Sequence, residues 1–354
     1  MFNILKATEI CYKVFDGTHD SPKYIDNGYP LVTSKYISNN KIDTISPSKI
    51  SKNDYDKINT RSKVMTNDIL ISMIGTVGLV ARINDNPCFA IKNIGVLRPK
   101  SELDSKYIFY YLQSNYAQDL ITSQLNGSTQ QYLSLDKLRN LDILYPKNND
   151  YKQHIVNIIG SIDDLIEHKI SILTKFEEFE CSIYLKENLN DEKSLLSDKI
   201  QFIKGKKPTT FYDNGEKYLT IDALENGNFT YTNDEKLVYC EENDILMVMD
   251  GASSGKVYIG HQGIVGSTLA KVSTNIAPYY LYIFLKNNFK NISEHNTGSA
   301  IPHTNKDIIY NLKISNNIIP NKTYEKLLNI RISLNNEINK LRILKNNYLK
   351  KFFG

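Results

Sequence analysis

The sequence predicts an α+β chain made by tandem duplication. Two mixed α/β heads with twisted, largely antiparallel sheets are separated and joined by two long helices that form an antiparallel coiled coil about a pseudo-twofold axis. Three observations support this reading. NGSTQQYLSLDKLRNLDI at 126–143 and TGSAIPHTNKDIIYNLKI at 297–314 share six identities in eighteen ungapped positions, 171 residues apart. YIDNGYPLVT at 24–33 returns as FYDNGEKYLT at 211–220, and NDILISMIGTVG at 67–78 returns as NDILMVMDGASSG at 243–255. A long helical pattern closes each copy, after Pro146 and after Pro320. Self-similarity at a fixed order of elements is the signature of a repeated architecture.

The first head takes residues 1–149. Its apolar cluster DILISMIG, bounded by Asp and Gly, reads as a strand, and KYIFYYLQSN at 106–115 spaces its apolar residues as a helix does. The Gly-Ser turn and a short strand follow. The central spacer helix takes 150–188, with Ile155, Ile162, Phe176 and Ile183 recurring at intervals of seven and Lys169 interrupting the series. Ile158, Ile159, Leu165, Ile166, Ile172, Leu173 and Phe179 fill the positions between. The second head, 189–321, repeats the order of the first, with YYLYIFLKNN at 279–288 as its Tyr-rich helix. The C-terminal spacer helix, 322–354, repeats Leu327, Leu334, Leu341 and Tyr348 at seven-residue intervals, joined by Ile330, Ile338 and Leu344. At about 1.5 Å per residue each helix spans roughly 50 Å. The second can bury its seam only by returning along the first.

Composition sets bounds. A chain of 354 residues with 41% hydrophobic and 23% charged residues is globular and long enough for two cores. A net charge of +4 is too small for a global field, so any polyanion binding depends on local placement of Lys and Arg. Cys11, Cys88, Cys181 and Cys240 form no CxxC pair and are expected to be free buried thiols. With neither a basic-then-apolar leader nor an uninterrupted apolar run of about 18 residues, the chain is expected to be cytoplasmic, with no membrane partner.

Two inverted heads on a spacer suit double-stranded DNA. One helical turn of duplex is about 34–36 Å, and a pseudo-twofold protein meets two half-sites on one face. Polar turns supply the candidate contacts. In the first head these are Thr18, His19 and Lys23 of GTHDSPK, Ser34, Lys35 and Lys41 of SKYISNNK, Arg61, Lys63, and Gln130 and Gln131 of STQQ. In the second they are Lys204, Lys206 and Lys207 of KGKK, Ser253, Ser254 and Lys256 of SSGK, His261, Ser299 and His303. Gln pairs bidentately with adenine and Lys or Arg with guanine, while further cations meet phosphates.

Catalytic chemistry is sought and not found. Asn86-Pro87-Cys88-Phe89 is one residue from the Asn/Asp-Pro-Pro-aromatic loop of adenine aminomethyltransferases, but Cys88 breaks it and no glycine-rich cofactor loop precedes it. A turn between strands is the better reading. No GxxxxGK[ST] loop is present, so ATP-driven movement would belong to a partner. The DEK triplets at 191–193 and 234–236 lack an upstream Pro-Asp, and His19 between Asp16 and Asp20 reads as a turn, with no metal expected.

The doubled GSTQQYLSLDKLRNLDILYP and GSAIPHTNKDIIYNLKI segments, the doubled NDIL turn, VFDGTHDSPKY and the two closing helices resemble the DNA specificity subunits of type I restriction-modification systems. The resemblance covers essentially the whole chain. It implies that the heads are target-recognition domains, each reading half of a split sequence. It also implies that the helices are spacers that hold two methyltransferase subunits, with restriction or translocase subunits as further partners. S-adenosylmethionine and ATP would then sit on those partners, and this chain would be no enzyme and hold no cofactor. The chain is short for that family, which leaves as an alternative a specificity subunit of a smaller system that cuts on both sides of its site. A catalytic DNA methyltransferase is the contrasting class and needs the motifs found wanting. The second head offers KGKKPTT where the first has DGTHDSPK, so its base preference is expected to differ.

If the central helix is a spacer, four residues inserted between Lys175 and Phe176, about one turn, lengthen it by roughly 5–6 Å. The preferred gap between half-sites, measured by sequencing bound or modified DNA, should then grow by about one or two base pairs with the half-sites unchanged. A gap that stays fixed removes the spacer account.

Overall fold

The computed structural model describes residues 2–127, 131–187, 192–298, 301–315 and 322–354. The chain divides into two compact units, one of Met1–Asp164 with Ile343–Gly354 and one of Leu165–Arg342.

The duplication is visible strand by strand. In the first unit a four-stranded antiparallel sheet runs in the order Cys11–Asp16, Ile94–Pro99, Ile69–Ser72, Val80–Arg82. In the second unit the same order is Ile200–Lys204, Leu269–Thr274, Ile245–Val248, Val257–Tyr258. Each unit also holds a second four-stranded sheet with a single parallel pair, Tyr29–Val32 with Ala90–Ile91 in the first and Glu216–Leu219 with Gly263–Val265 in the second. A two-stranded ribbon closes each head: Phe2–Lys6 with Asp142–Pro146, and Lys193–Leu195 with Lys313–Ser315. The sequence led us to expect one twisted sheet per head. The strands divide among several small sheets because many are only two to four residues long, too short for the alternation that reveals a strand.

The Tyr-rich segments are helices at Glu102–Leu112 and Pro278–Asn287. The first is capped by Ser101, whose Oγ accepts the amide of Asp104 at 3.1 Å. Proline at the start of the second fits a position where no amide donor is needed. Both are buried nearly all round. Tyr107 and Tyr111 are fully buried, and their hydroxyls donate to the carbonyls of Leu144 at 2.5 Å and Asp142 at 2.9 Å. Tyr280 lies in the second core with Phe284 and Leu285.

The two long helices span Asn149–Glu187 and Lys322–Phe353. In the first unit His154 meets the Phe352 ring and Asp163 pairs with Lys345 at 2.7 Å. In the second unit Lys169 pairs with Glu337 at 2.5 Å and Glu180 with Arg331 at 2.6 Å. Within each unit one number rises as the other falls, so the helices run antiparallel there. Ile155, Ile162 and Leu327 are buried, while Phe176, Ile183, Leu334, Leu341 and Tyr348 are partly covered. Two expectations need correction. Ile155 belongs to the core of the first head as much as to a helix seam. Leu165, Phe179, Ile330 and Leu344, expected between the helices, are 41–53% exposed.

Charge fills part of the seam instead. Lys169, read as an interruption, is one such pair. Arg331, 4% exposed, donates to Glu177 at 2.9 Å, to Glu180 at 2.6 Å and to the Tyr279 hydroxyl at 2.9 Å. Removing one partner of a buried pair leaves an uncompensated charge. Arg331→Met should therefore cost about 3–5 kcal/mol in denaturant unfolding of the full chain, and Lys169→Ala, at a more exposed pair, no more than about 1 kcal/mol. Equal losses would mean that burial of the Arg331 network does not set its weight.

Candidate nucleic-acid interface

Strand register equates the candidate loops of the two heads. Leu97 pairs with Val14 and Ile69, and Val272 pairs with Phe202 and Ile245. Asp16 and Lys204 therefore occupy the same position at the exit of the edge strand, and Gly17 and Gly205 follow them. A side chain at Gly17 would lie 2.5 Å from the Ile91 carbonyl oxygen, and one at Gly205 would lie 2.2 Å from that of Val265. Only glycine allows this approach to the parallel strand pair. GTHDSPK and GKKPTT thus leave the same backbone corner with different side chains.

In the first head that corner gathers four of the candidates. The Asp16 carboxylate meets Arg61 Nη2 and His19 Nε2, each at 3.0 Å. His19 Nδ1 lies 2.7 Å from Asn93 Oδ1, and Arg61 also donates to the Gly17 carbonyl at 3.0 Å. The Thr18 amide donates to Ile91 at 3.0 Å, and Ser34 Oγ reaches the Asn93 carbonyl at 3.5 Å. Lys23, Lys35, Lys41 and Lys63 are exposed on their own segments, with Lys35 over the Tyr36 ring at 4.7 Å. Asn93 was missed from sequence. Its left-handed backbone, φ 56°, matches a turn at Lys92-Asn93, and that turn chemistry was the available signal.

In the second head Lys204 donates to Asp250 Oδ2 at 2.8 Å and His303 Nδ1 meets Asp250 Oδ1 at 2.7 Å. Burial opposes ionisation of Asp250, but the hydrogen bonds from Lys204 and His303 outweigh it and hold the carboxyl below the usual carboxylate range. Lys206 and Lys207 are exposed, and Ser253 is half-buried. Lys256 is tied to Glu225 at 2.6 Å, a carboxylate that also accepts from the Tyr258 hydroxyl at 2.7 Å.

Two candidates are corrected. Ser254 is 1% exposed, and its hydroxyl sits between the carbonyls of Gly251 at 2.7 Å and Pro302 at 2.9 Å, so it braces the turn and is not presented to a ligand. His261 has its pKa pushed down to about 4 by burial and by the positive charges of Lys217 and Arg331. It is neutral near pH 7 and supplies no cation to a phosphate. Gln130 and Ser299 lie outside the described residues.

The repeated Gly-Ser loops close in the same way. Asn126 and Tyr132 exchange two backbone hydrogen bonds of 2.9 Å, and Thr297 and His303 exchange bonds of 2.9 and 2.7 Å. Gly127 and Gly298 both take left-handed φ, 91° and 90°. The next residue donates back to the glycine turn, Leu133 to Met73 at 2.9 Å and Thr304 to Met249 at 2.8 Å. Short helices then begin under side-chain caps from Ser134 and Asn305. Gln131 is exposed on the first of these loops.

The thiols divide. Cys11 and Cys240 are buried, which pushes each up to about 12, whereas Cys88 is exposed and Cys181 half-buried, against the expectation of four buried thiols. Asn86 to Phe89 form a loop between two strands. Among the described residues no group of His, Cys, Asp or Glu is arranged to hold a metal ion, and no helix is long and apolar enough to cross a membrane.

Two heads that share the order of their main sheet and the parallel pair of their second, each followed by a long helix, define a protein built on a doubled domain. The chain belongs to the Type I restriction modification DNA specificity domain family, whose model matches it twice, over residues 9–175 and 190–347. A curated relative, the Type I restriction enzyme MjaVIII specificity subunit of Methanocaldococcus jannaschii, is 32% identical over 177 residues. That match takes 45% of this chain and 40% of the relative, so the chain spans less than half the relative's length. The solved S subunit of a type I restriction-modification system from M. genitalium shares the fold at a TM-score of 0.52 and 16% identity, over 100% of this chain and 96% of that one.

A methyl group at Gly298 would meet the Ile301 carbonyl oxygen at 2.4 Å on a left-handed backbone. Gly298→Ala should strain the loop by about 1–3 kcal/mol. Hydrogen exchange should then speed up at the His303 amide, which donates across the loop, with little change at the core strand Ile245–Val248.

Proposed function

We propose that this chain is the sequence-specific DNA-binding subunit of a restriction-modification complex and carries no catalytic site of its own. Each head reads one half of a bipartite, asymmetric target in double-stranded DNA. The long helices set the gap between the halves and dock methyltransferase subunits, two by the repeat of the chain, with restriction or translocase subunits as further partners. S-adenosylmethionine and ATP are held by those partners.

One observation carries the reading: equivalent loops leave one backbone corner in both heads but present different charged and polar groups, Asp16, Thr18 and His19 against Lys204, Lys206 and Lys207. A doubled scaffold that keeps its main sheet order while its corner loops carry different charges suits a ligand that repeats its backbone and varies its bases, because phosphate contacts position a protein while base edges specify the site. The exposed apolar side chains of the long helices, Leu165, Phe179, Ile330 and Leu344, offer surface for protein partners.

The test is incubation of the purified chain with DNA and labelled S-adenosylmethionine, alone and with its modification partner. No transfer is expected from the chain alone, and methylation at a two-part motif is expected from the pair. Transfer by the chain alone overturns the reading. Lys206→Ala and Lys207→Ala should weaken binding evenly across sequences and lower the salt slope by about one per lost phosphate contact. Lys204→Ala should lower it less, because its charge is already compensated by Asp250.

A further inference from the structure

We propose that the side chain closing the Gly-Ser loop, His303 in the second head and Tyr132 in the first, reads one base in each half-site. His303 acts as a hydrogen-bond acceptor that selects a base with an exposed amino group, adenine or cytosine. The inference rests on the DNA-specificity reading above and assigns it a residue and a chemistry.

The backbone at this point is the same in both heads. The loops are of equal length, their glycines share a left-handed φ, and the closing residue bridges the glycine turn, Tyr132 to Ile74 and His303 to Asp250. The side chains are not the same. Tyr132 is 44% exposed beside Ile74, and the His303 side chain is 53% exposed beside Asp250. An exposed position on a fixed backbone, with its supporting partner changed from apolar to acidic, is where two readings diverge without disturbing the fold.

Asp250 fixes which nitrogen of His303 faces outward and, in the neutral ring, which hydrogen-bonding role that nitrogen presents. Its two oxygens are engaged separately, Oδ2 by Lys204 at 2.8 Å and Oδ1 by His303 Nδ1 at 2.7 Å. An ionised carboxylate only accepts hydrogen bonds, so Nδ1 carries the ring proton. In the neutral ring Nε2 is then an acceptor. In the major groove adenine N6 and cytosine N4 donate, whereas guanine presents N7 and O6 and thymine O4, all acceptors. An acceptor fixed on the protein therefore favours adenine or cytosine and meets a like group at guanine or thymine. Asp250 is a positioning residue, and Lys204 holds it from the strand exit. Tyr132 has no acidic partner at the equivalent position, and its hydroxyl both donates and accepts.

The full chain, purified with its bound partners, is used to select from a pool of randomised duplexes, and the bound DNA is sequenced. Wild type should return a two-part motif; its absence overturns the specificity reading itself. His303→Ala and the bulk-preserving His303→Phe should each relax one position of one part by roughly tenfold, a preference for adenine or cytosine, with every other position unchanged. Asp250→Asn should lose discrimination at that same position, a change that a merely structural role would not confine to one base. Tyr132→Phe should relax one position of the other part. A two-part motif that is unaltered in the His303 variants, or a lost preference for guanine or thymine, overturns this inference and leaves the specificity reading standing.

Discussion

Burial of the Tyr-rich helix over most of its surface is the constraint on which the rest of each unit depends. In the first unit Tyr107, Ile108, Tyr111 and Leu112 are all at 0% exposure and only a narrow stripe that includes Glu102 and Lys106 reaches water, so a sheet alone cannot complete the helix's surroundings. In the first unit the far side is closed by Ile155 and Ile159 of one long helix and by Leu349, Phe352 and Phe353 of the other. The Phe353 ring sits 5.7 Å from Tyr107 and 5.5 Å from Tyr111, edge to face. In the second unit Tyr280 is met by Tyr184 and Tyr324, each with ring centroids 5.5 Å away. The compact units thus draw on distant segments: residues 343–354 belong with the first unit although the chain between is the second.

The same constraint explains why the helix seam is not uniformly apolar. Where a long helix covers a head it is anchored by that core, and Ile155 and Leu327 are buried accordingly. Between the helices charge pairs fix which turn faces which. An apolar stripe tolerates a slip of one heptad, because Leu meets Leu again; the fork of Arg331, placed on Glu177 and Glu180 at once, does not. A pairing of this kind adds little net stability and much register.

Much of this was legible in the sequence. The duplication, both Tyr-rich helices and both long helices follow from repeats and apolar period, because those signals are written over ten or more residues. The small second sheet of each head was not legible, since pairs such as Ala90–Ile91 and Tyr239–Cys240 are too short to show a period. Site residues divided on similar lines. Polar turns pointed to His19, Arg61, Lys204 and His303, which the structure gathers at two corners. Of the acids that organise them, Asp16 was read only as part of the turn around His19, and Asp250 was not singled out, because one acid in DGASSG carries no signal of its own. Ser254 was misread because SSGK shows a polar turn and not which hydroxyl turns inward.

Equating the heads by register turns their differences into a physical statement. Replacing Asp16 by Lys204 changes the charge at one strand exit by two units, and replacing Ile74 by Asp250 alters its neighbourhood again, yet the glycines after both strands keep the same contacts. Both exchanges fall where the chain leaves the sheet, at positions that are partly or fully exposed. The residues that repeat between the heads and those that differ at the corners are therefore not the same. The fold is held by the Tyr-rich helix and the glycine corners, which repeat, while Asp16, Lys204, Ile74 and Asp250 lie outside the buried core. A chain duplicated in this way can change the side chains at one corner while the glycine contact at the other stays as it is.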